Sequence, residues 1–253
     1  MRSDLPLVVL LPHPDDEFAV LPFLGEAASA GRDIRLVWLT DGGAGRASPA
    51  VRKEESLSVL AASGIRGAMC RFLGMDEGLP DGELHRHLRR AKRALDGVVM
   101  GIPGPFELWL PAWEGGHQDH DATHALGRMV ARQRDAEAWQ YPVYRSGDRW
   151  GWTFTVLSPL PSMPLGRVVR LPIRDALALI RRCFGYRSQW RSFMGLLPLV
   201  AVRLLLLRRP MVMGPVDPTA PLERPHPGVL LYERRSACAW TDLRAAVSEF
   251  RPA

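Results

Sequence analysis

Leu7-Val8-Val9-Leu10-Leu11-Pro12-His13-Pro14-Asp15-Asp16-Glu17 is an apolar run that ends, within one proline, in a histidine and three acids. Five consecutive Val and Leu residues predict a strand buried on both faces, as in a parallel sheet. The polar cluster then sits at the carboxyl end of that strand, where open α/β sheets place their ligands. Three carboxyls beside one imidazole repel one another and cost desolvation unless solvent or a cation neutralises them. A metal ion does so directly. If the chain turns helical after Pro14, His13 and Asp16 lie three apart on one face and both reach an ion, while Asp15 points elsewhere and stays free as a base. The competing reading is a solvated N-cap, in which Asp15 and Asp16 accept first-turn amides. The preceding His-Pro pair and the position after the strand favour the metal.

Downstream the chain alternates in a βαβ rhythm. The pattern predicts a helix over 18–30 and a strand over 34–40. A turn at Asp41-Gly42-Gly43 follows, then a helix over 49–63 closed by Gly64 and a strand over 69–73. Asp81-Gly82 opens a helix over 83–95, a strand follows over 107–110, and a helix over 119–134. This order predicts an α/β fold with a mostly parallel sheet and right-handed crossovers. Past residue 140 the pattern loosens. Residues 141–144 and 153–157 read as strands, 173–184 as a helix, and 210–227 as a proline-rich connection. At 253 residues one domain, 1–253, is expected, with a core over about 5–190 and a C-terminal extension over 191–253.

An apolar fraction of 47% and a charged fraction of 24% exclude disordered and fibrous classes. Cys70, Cys183 and Cys238 are too scattered for a disulfide framework or a metal knuckle, which points to a reducing, cytoplasmic setting. Residues 5–11 are too short for a signal peptide and lack its cleavage site. Residues 193–207 fall short of the ~20 apolar residues a membrane span needs and carry Pro198 and Arg203. They read either as a core or lid helix or as a segment lying on a membrane surface, with Arg191, Arg203, Arg208 and Arg209 meeting lipid phosphates. A net charge of +6 suggests an anionic partner, and arginine pairs without interleaved aromatics argue against nucleic acid. Gly42-Gly43-Ala44-Gly45 is neither a dinucleotide fingerprint nor a P-loop and reads as a rim loop. Among Trp109, Trp113, Trp139, Trp150 and Trp152, Trp113 is the candidate to line a sugar cleft.

A second cluster, His117, Asp119, His120 and His124, follows the 107–110 strand after the loop Trp113-Glu114-Gly115-Gly116. Two pairings compete: His117 with His120, or His120 with His124 at the spacing of a zincin helix. The second lacks the zincin glutamate, having Asp121 instead, which favours His120 as a ligand and His124 as a helix-face residue.

Pro12-His13-Pro14-Asp15-Asp16-Glu17 and His117-Gln118-Asp119-His120 together resemble the two signatures of the LmbE-like, or PIG-L, family of zinc-dependent N-acetylglucosaminyl deacetylases. Weaker similarity at Thr40-Asp41-Gly42-Gly43, 52–55, Leu79-Pro80-Asp81-Gly82 and Tyr186-Arg187-Ser188-Gln189 extends it over about residues 5–190. The resemblance implies a Rossmann-like three-layer sandwich with the metal site at the carboxyl ends of the strands. It implies one Zn2+ per chain held by His13, Asp16 and His120, with water completing the site. Asp15 would be the general base, His117 would stabilise the oxyanion or protonate the leaving amine, and Asp119 would orient a histidine. Arg52 and Asp81 match substrate contacts. The implied reaction is removal of an N-acetyl group from an amino-sugar conjugate; the membrane-surface reading of residues 193–207 would make that conjugate phosphate-bearing or lipid-linked. The alternatives are removal of a longer acyl chain, with residues 193–207 as its wall, and a non-catalytic sugar- or lipid-binding module. A pure binder has no need for a free Asp15 beside three ligands, and a dinucleotide enzyme would need the missing glycine fingerprint.

Overall fold

β1 (Leu7–Leu11) is wholly buried, and its two faces feed two separate cores. Leu7, Val9 and Leu11 pack with Phe23, Leu24, Val59 and Trp109, while Val8 and Leu10 pack with Leu88, Leu95, Leu126 and Val130. Each such side chain contributes roughly 1.5–3 kcal/mol of burial. The computed structural model describes residues 5–44, 47–147 and 154–250; Gly45, Trp150, Trp152 and the first residue of the 153–157 strand lie outside them.

The elements follow in chain order: α1 (Leu21–Ser29), β2 (Ile34–Trp38), α2 (Pro49–Ala62), β3 (Met69–Phe72), α3 (Leu73–Glu77), α4 (Leu88–Met100), β4 (Glu107–Pro111) and α5 (Gln118–Arg134). Then come β5 (Glu137–Tyr141), β6 (Tyr144–Ser146), β7 (Phe154–Val156), β8 (Arg167–Val169), α6 (Ile173–Arg182), α7 (Trp190–Ala201), β9 (Met211–Pro215), α8 (Leu231–Arg234) and α9 (Trp240–Glu249). Among the described residues the main sheet runs β3-β2-β1-β4-β5-β9-β8. Its first five strands are parallel, whereas β9 is antiparallel to both β5 and β8. Helices cover both faces, giving the expected three-layer α/β sandwich. Strand order reverses between β1 and β4, so a crevice opens at their carboxyl ends, where both sequence motifs begin.

Several expectations need correction. Residues 141–144 are a joint between β5 and β6, because Pro142 has no N–H for the ladder and the amides of Val143 and Tyr144 donate to the buried Glu114 carboxylate, at 2.8 and 2.9 Å. The 83–95 helix is a short 3-10 turn, Leu84–Arg86, followed by α4, since the Leu84 amide donates to Asp119 Oδ1 (3.0 Å). The 18–30 helix likewise splits into a 3-10 turn, Asp16–Ala19, and α1. The 210–227 connection contains β9, whose Met211 and Met213 reach the core. β8 had no counterpart in the sequence pattern.

Gly74 lets α3 abut the end of β2: a Cβ there would lie 1.9 Å from the Thr40 carbonyl carbon. The same contact carries the chain through Leu79 N–H to Gly74 O (2.8 Å) and Asp41 N–H to Leu79 O (2.9 Å), which fixes the loop bearing Asp81. Gly74→Ala is therefore expected to cost at least about 2 kcal/mol. Gly25→Ala, in α1 with nothing within 4 Å of the added Cβ, should gain about 0.5–1 kcal/mol. Urea unfolding of the two variants measures both; midpoints shifted equally or in the same direction contradict this packing.

Candidate metal centre and active-site cavity

The turn after β1 is locked by its own acids. Asp16 N–H donates to His13 O (3.2 Å) and His13 N–H donates to Asp16 Oδ2 (2.8 Å), closing the three-residue spacing onto one face. Asp15 sits between them at φ 122°, a conformation that costs an L-residue of order 1–3 kcal/mol and persists only where the surroundings impose it. Glu17 imposes it here. Its fully buried carboxylate accepts Asp15 N–H (3.1 Å), Trp38 Nε1–H (3.1 Å) and Tyr186 O–H (3.0 Å). Arg52, on α2, closes the other side, donating to Pro14 O and Gly42 O at 2.7 Å each and to Asp81 Oδ2 at 3.1 Å, with Asp15 Oδ1 3.3 Å away. Sequence reasoning gave Glu17 no role of its own; the sign available was its place inside the first motif.

His13 stands at the centre. Its Nδ1 is 3.0 Å from Asp16 Oδ2, and its Nε2 is 3.0 Å from Asp119 Oδ2 and 3.2 Å from Asp81 Oδ1. Asp119 enters from the first turn of α5 and also accepts the Gly82 and Leu84 amides, so it is a fixed acceptor. With the proton on Nε2 donated to it, the neutral ring leaves the Nδ1 lone pair free to face a cation. His120 Nε2 lies 3.3 Å from Asp16 Oδ1, so the Asp16 carboxylate spans the two imidazoles. Two atoms bound tetrahedrally to one zinc sit about 3.3 Å apart, close to both separations. Nδ1 of the buried His120 has no hydrogen-bond partner, and its Nε2 meets only the Asp16 carboxylate, without good hydrogen-bond geometry, so the ring is under-satisfied in a way an ion would relieve. The donors of His13, Asp16 and His120 are thus of the types that zinc takes, with the two oxygens of Asp16 each facing one imidazole.

Ring nitrogens of His13, His117 and His120 also lie within 4.8 Å of one another, as do donors of His13, Asp81 and Asp119. Hydrogen bonds already account for the second group, because Asp119 holds two amides and Asp81 holds Arg52. His117 is the N-cap of α5, and its Nδ1 accepts Asp119 N–H (3.2 Å), which puts its proton on Nε2. His124, from the rejected pairing, is turned away and bonds Pro111 O at 2.8 Å.

Electrostatics separates the carboxyls. Burial pushes Asp15 up to about 8 although Arg52 opposes it, whereas Asp16, despite equal burial, is held well below the usual range by His120 and His13. Burial lowers His117 to about 3, reinforced by the charge of His13, which keeps it neutral. Burial also works against His13, but Asp81, Asp119 and Asp16 outweigh it and raise its pKa well above normal. One buried acid with a raised pKa beside another held as carboxylate is the pairing of a base with a ligand.

These groups floor a cavity of about 400 Å³. Asp15, His117, Arg52 and Asp81 line it, while Phe18, Phe154, Leu157, Phe193, Leu196 and Val200 form an apolar side. Trp113 does not line it: its Nε1–H donates to Glu223 O (2.7 Å) and its ring packs on His124 and Trp240. Ala44 of the glycine-rich loop stands at the rim.

The profile of the PIG-L family, described as GlcNAc-PI de-N-acetylase, matches residues 8–131. No curated protein matches the chain in sequence. Solved structures share the fold. A triple mutant of a deacetylase of the teicoplanin biosynthetic pathway superposes with a TM-score of 0.61 at 16% identity, over 84% of this chain and 98% of that one. The zinc-inhibited form of teicoplanin deacetylase Orf2 gives 0.60 at 15%, over 84% and 98%. The N,N'-diacetylchitobiose deacetylase of Pyrococcus horikoshii gives 0.55 at 14%, over 84% of each chain.

Glu17→Ala strands three donors around a strained Asp15. It is expected to lower unfolding stability by roughly 3 kcal/mol or more, against about 1 kcal/mol for Trp38→Phe, which removes one donor and leaves the acceptor. Chemical denaturation compares them, and equal losses would deny Glu17 the bracing role.

Proposed function

The chain belongs to the PIG-L family over residues 8–131, and on that premise we propose that it is a zinc-dependent hydrolase removing the N-acetyl group from an N-acetylglucosamine-type conjugate. The observation that carries the reading is the gathering of His13, Asp15, Asp16 and His117 on one cavity floor, with the buried His120 beside them, its Nδ1 unbonded and its Nε2 facing the Asp16 carboxylate. The teicoplanin and diacetylchitobiose deacetylases of the same fold support the amino-sugar class, and a zinc-inhibited form of one of them supports a metal.

In this reading His13, Asp16 and His120 hold the ion. When bound, zinc supplies Lewis acidity, acidifying water and polarising the amide carbonyl. Asp15, with its raised pKa, takes the proton as water attacks. Its strained backbone fixes the carboxyl on the cavity side, and Arg52 keeps it from turning away. The neutral His117, with its proton on Nε2, donates to the developing oxyanion or to the departing nitrogen. Asp119 acts through His13 and touches no substrate. Arg52 and Asp81 bind each other and line the cavity, which supports contact with sugar hydroxyls. The apolar side of the cavity favours one further reading, a conjugate carrying a longer acyl or lipid part. Free thiols at Cys70, Cys183 and Cys238 support a cytoplasmic setting.

Elemental analysis with an assay for amine released from an N-acetylglucosamine conjugate tests this. Wild type and Asp15→Ala should each hold about one zinc per chain, with activity falling roughly 10²–10⁴-fold in the variant. His120→Ala should lose metal and activity together. Wild type that stays inactive after zinc is added would move the assignment to a binding module.

A further inference from the structure

We propose that the surface formed by α6, α7 and the π-helical turn after it, Val202–Leu206, docks onto an anionic phospholipid membrane. Between Asp175 and Asp217 the chain has seven arginines and no acid, more positive charge than its entire net +6. Arg181, Arg187, Arg191, Arg208 and Arg209 are exposed. So are large apolar side chains in the same stretch: Phe184 at 67%, Trp190 at 52%, Met194 at 64% and Leu206 at 74%.

α7 is apolar on two faces. Phe193, Leu196 and Val200, spaced by three and four, form one stripe and line the catalytic cavity. Trp190 and Met194 lie on another side and face outward. A helix lying on a protein in water normally keeps its outer face polar; here that face is apolar and edged by guanidinium groups. Long arginine stems can lie along an apolar surface while their heads meet phosphate oxygens. Among the described residues no helix is long and apolar enough to cross a membrane, so the geometry is that of a segment lying in the interface. A second copy is a poor occupant, because the seven arginines from Arg181 to Arg209 have no acid within that stretch to face them in a symmetric contact.

Docking in this way places α7, whose inner stripe of Phe193 and Leu196 walls the cavity, between the cavity and the bilayer. A lipid-linked amino sugar could then enter without leaving the membrane; that consequence rests on the hydrolase reading, whereas docking itself does not.

Co-sedimentation of the full chain with vesicles tests docking, using phosphatidylcholine alone or mixed with phosphatidylglycerol, at low and high salt. Binding should require the anionic lipid and weaken with salt. Arg208→Gln/Arg209→Gln should reduce it about thirtyfold. Met194→Ser/Leu206→Ser should reduce it by about tenfold or more while hydrolysis of a water-soluble conjugate is unchanged. Wild type that ignores anionic vesicles at low salt overturns the proposal. So does binding unaffected by either pair of substitutions, or self-association that Met194→Ser/Leu206→Ser abolishes while vesicles go unbound. Metal content and hydrolysis, measured separately, report on the catalytic reading alone.

Discussion

Burying carboxylates next to one another at the end of a hydrophobic strand demands opposing charge, and the architecture around β1 follows from meeting that demand. Asp15, Asp16, Asp81 and Asp119 converge on His13 and Arg52, and every one of them lies within 3.3 Å of one or other of the two. Desolvation alone would drive these acids neutral. Contact with the surrounding imidazoles and Arg52 splits them instead: Asp16 is held low by His120 and His13, Asp81 by His13 with His117 and Arg52, and Asp119 by His13 and His117, while Asp15, whose burial Arg52 only partly offsets, is left high. Arg52 is equally constrained, since its remaining bonds go to the Pro14 and Gly42 carbonyls. An Arg→Lys exchange could not make that fork.

The sheet makes such convergence achievable. Residues after β1 and residues after β4 are more than 90 positions apart in sequence. They meet because strand order reverses between those two strands and both loops open at the same edge. Asp119 is the hinge of the arrangement. It caps the 3-10 turn through Leu84, fixes Gly82 and orients His13, tying the β3–α4, α5 and β1 segments with one carboxylate.

Four of the five parallel strands were legible, β1, β2 and β4 as short apolar runs with punctuation and β3 from the turn before it, whereas β5 (Glu-Ala-Trp-Gln-Tyr) has no Val/Leu run and was expected four residues too late. The site was legible because two acid-histidine clusters each follow such a strand. What escaped has a physical reason in each case. β8 is a three-residue edge strand, Arg167–Val169, too short for a periodic signal, and β9, which lies between β5 and β8, is a buried strand of five residues whose Gly214 and Pro215 read as part of a proline-rich connection. The break at Pro142 and the split of the 83–95 segment arise from tertiary hydrogen bonds to Glu114 and Asp119, partners that local periodicity cannot name. Trp113 shows the same limit: adjacency to the second motif placed it beside α5, but on the side facing α9 rather than the cavity. Glu17 was visible as a letter of the motif, yet its work of holding Asp15 in a left-handed conformation depends on Trp38 and Tyr186, both far away in sequence.

The two halves of the cavity answer to different parts of the chain. Its polar floor comes from the family core, residues 8–131, while much of its apolar side comes from β7 and α7, beyond that span. Chemistry on an amide needs only the floor. For the N-acetyl conjugate proposed above, an acetyl group, two carbons long, covers little of a wall made by Phe18, Phe154, Leu157, Phe193, Leu196 and Val200, and the remainder of the conjugate would meet it. The same helix that presents Phe193 and Leu196 inward presents Trp190 and Met194 outward. A helix apolar on both sides is stable at a boundary between protein and lipid, where neither face pays for exposure to water. On the docking proposed above, the composition of α7 would link the character of the substrate to the place where the protein meets it.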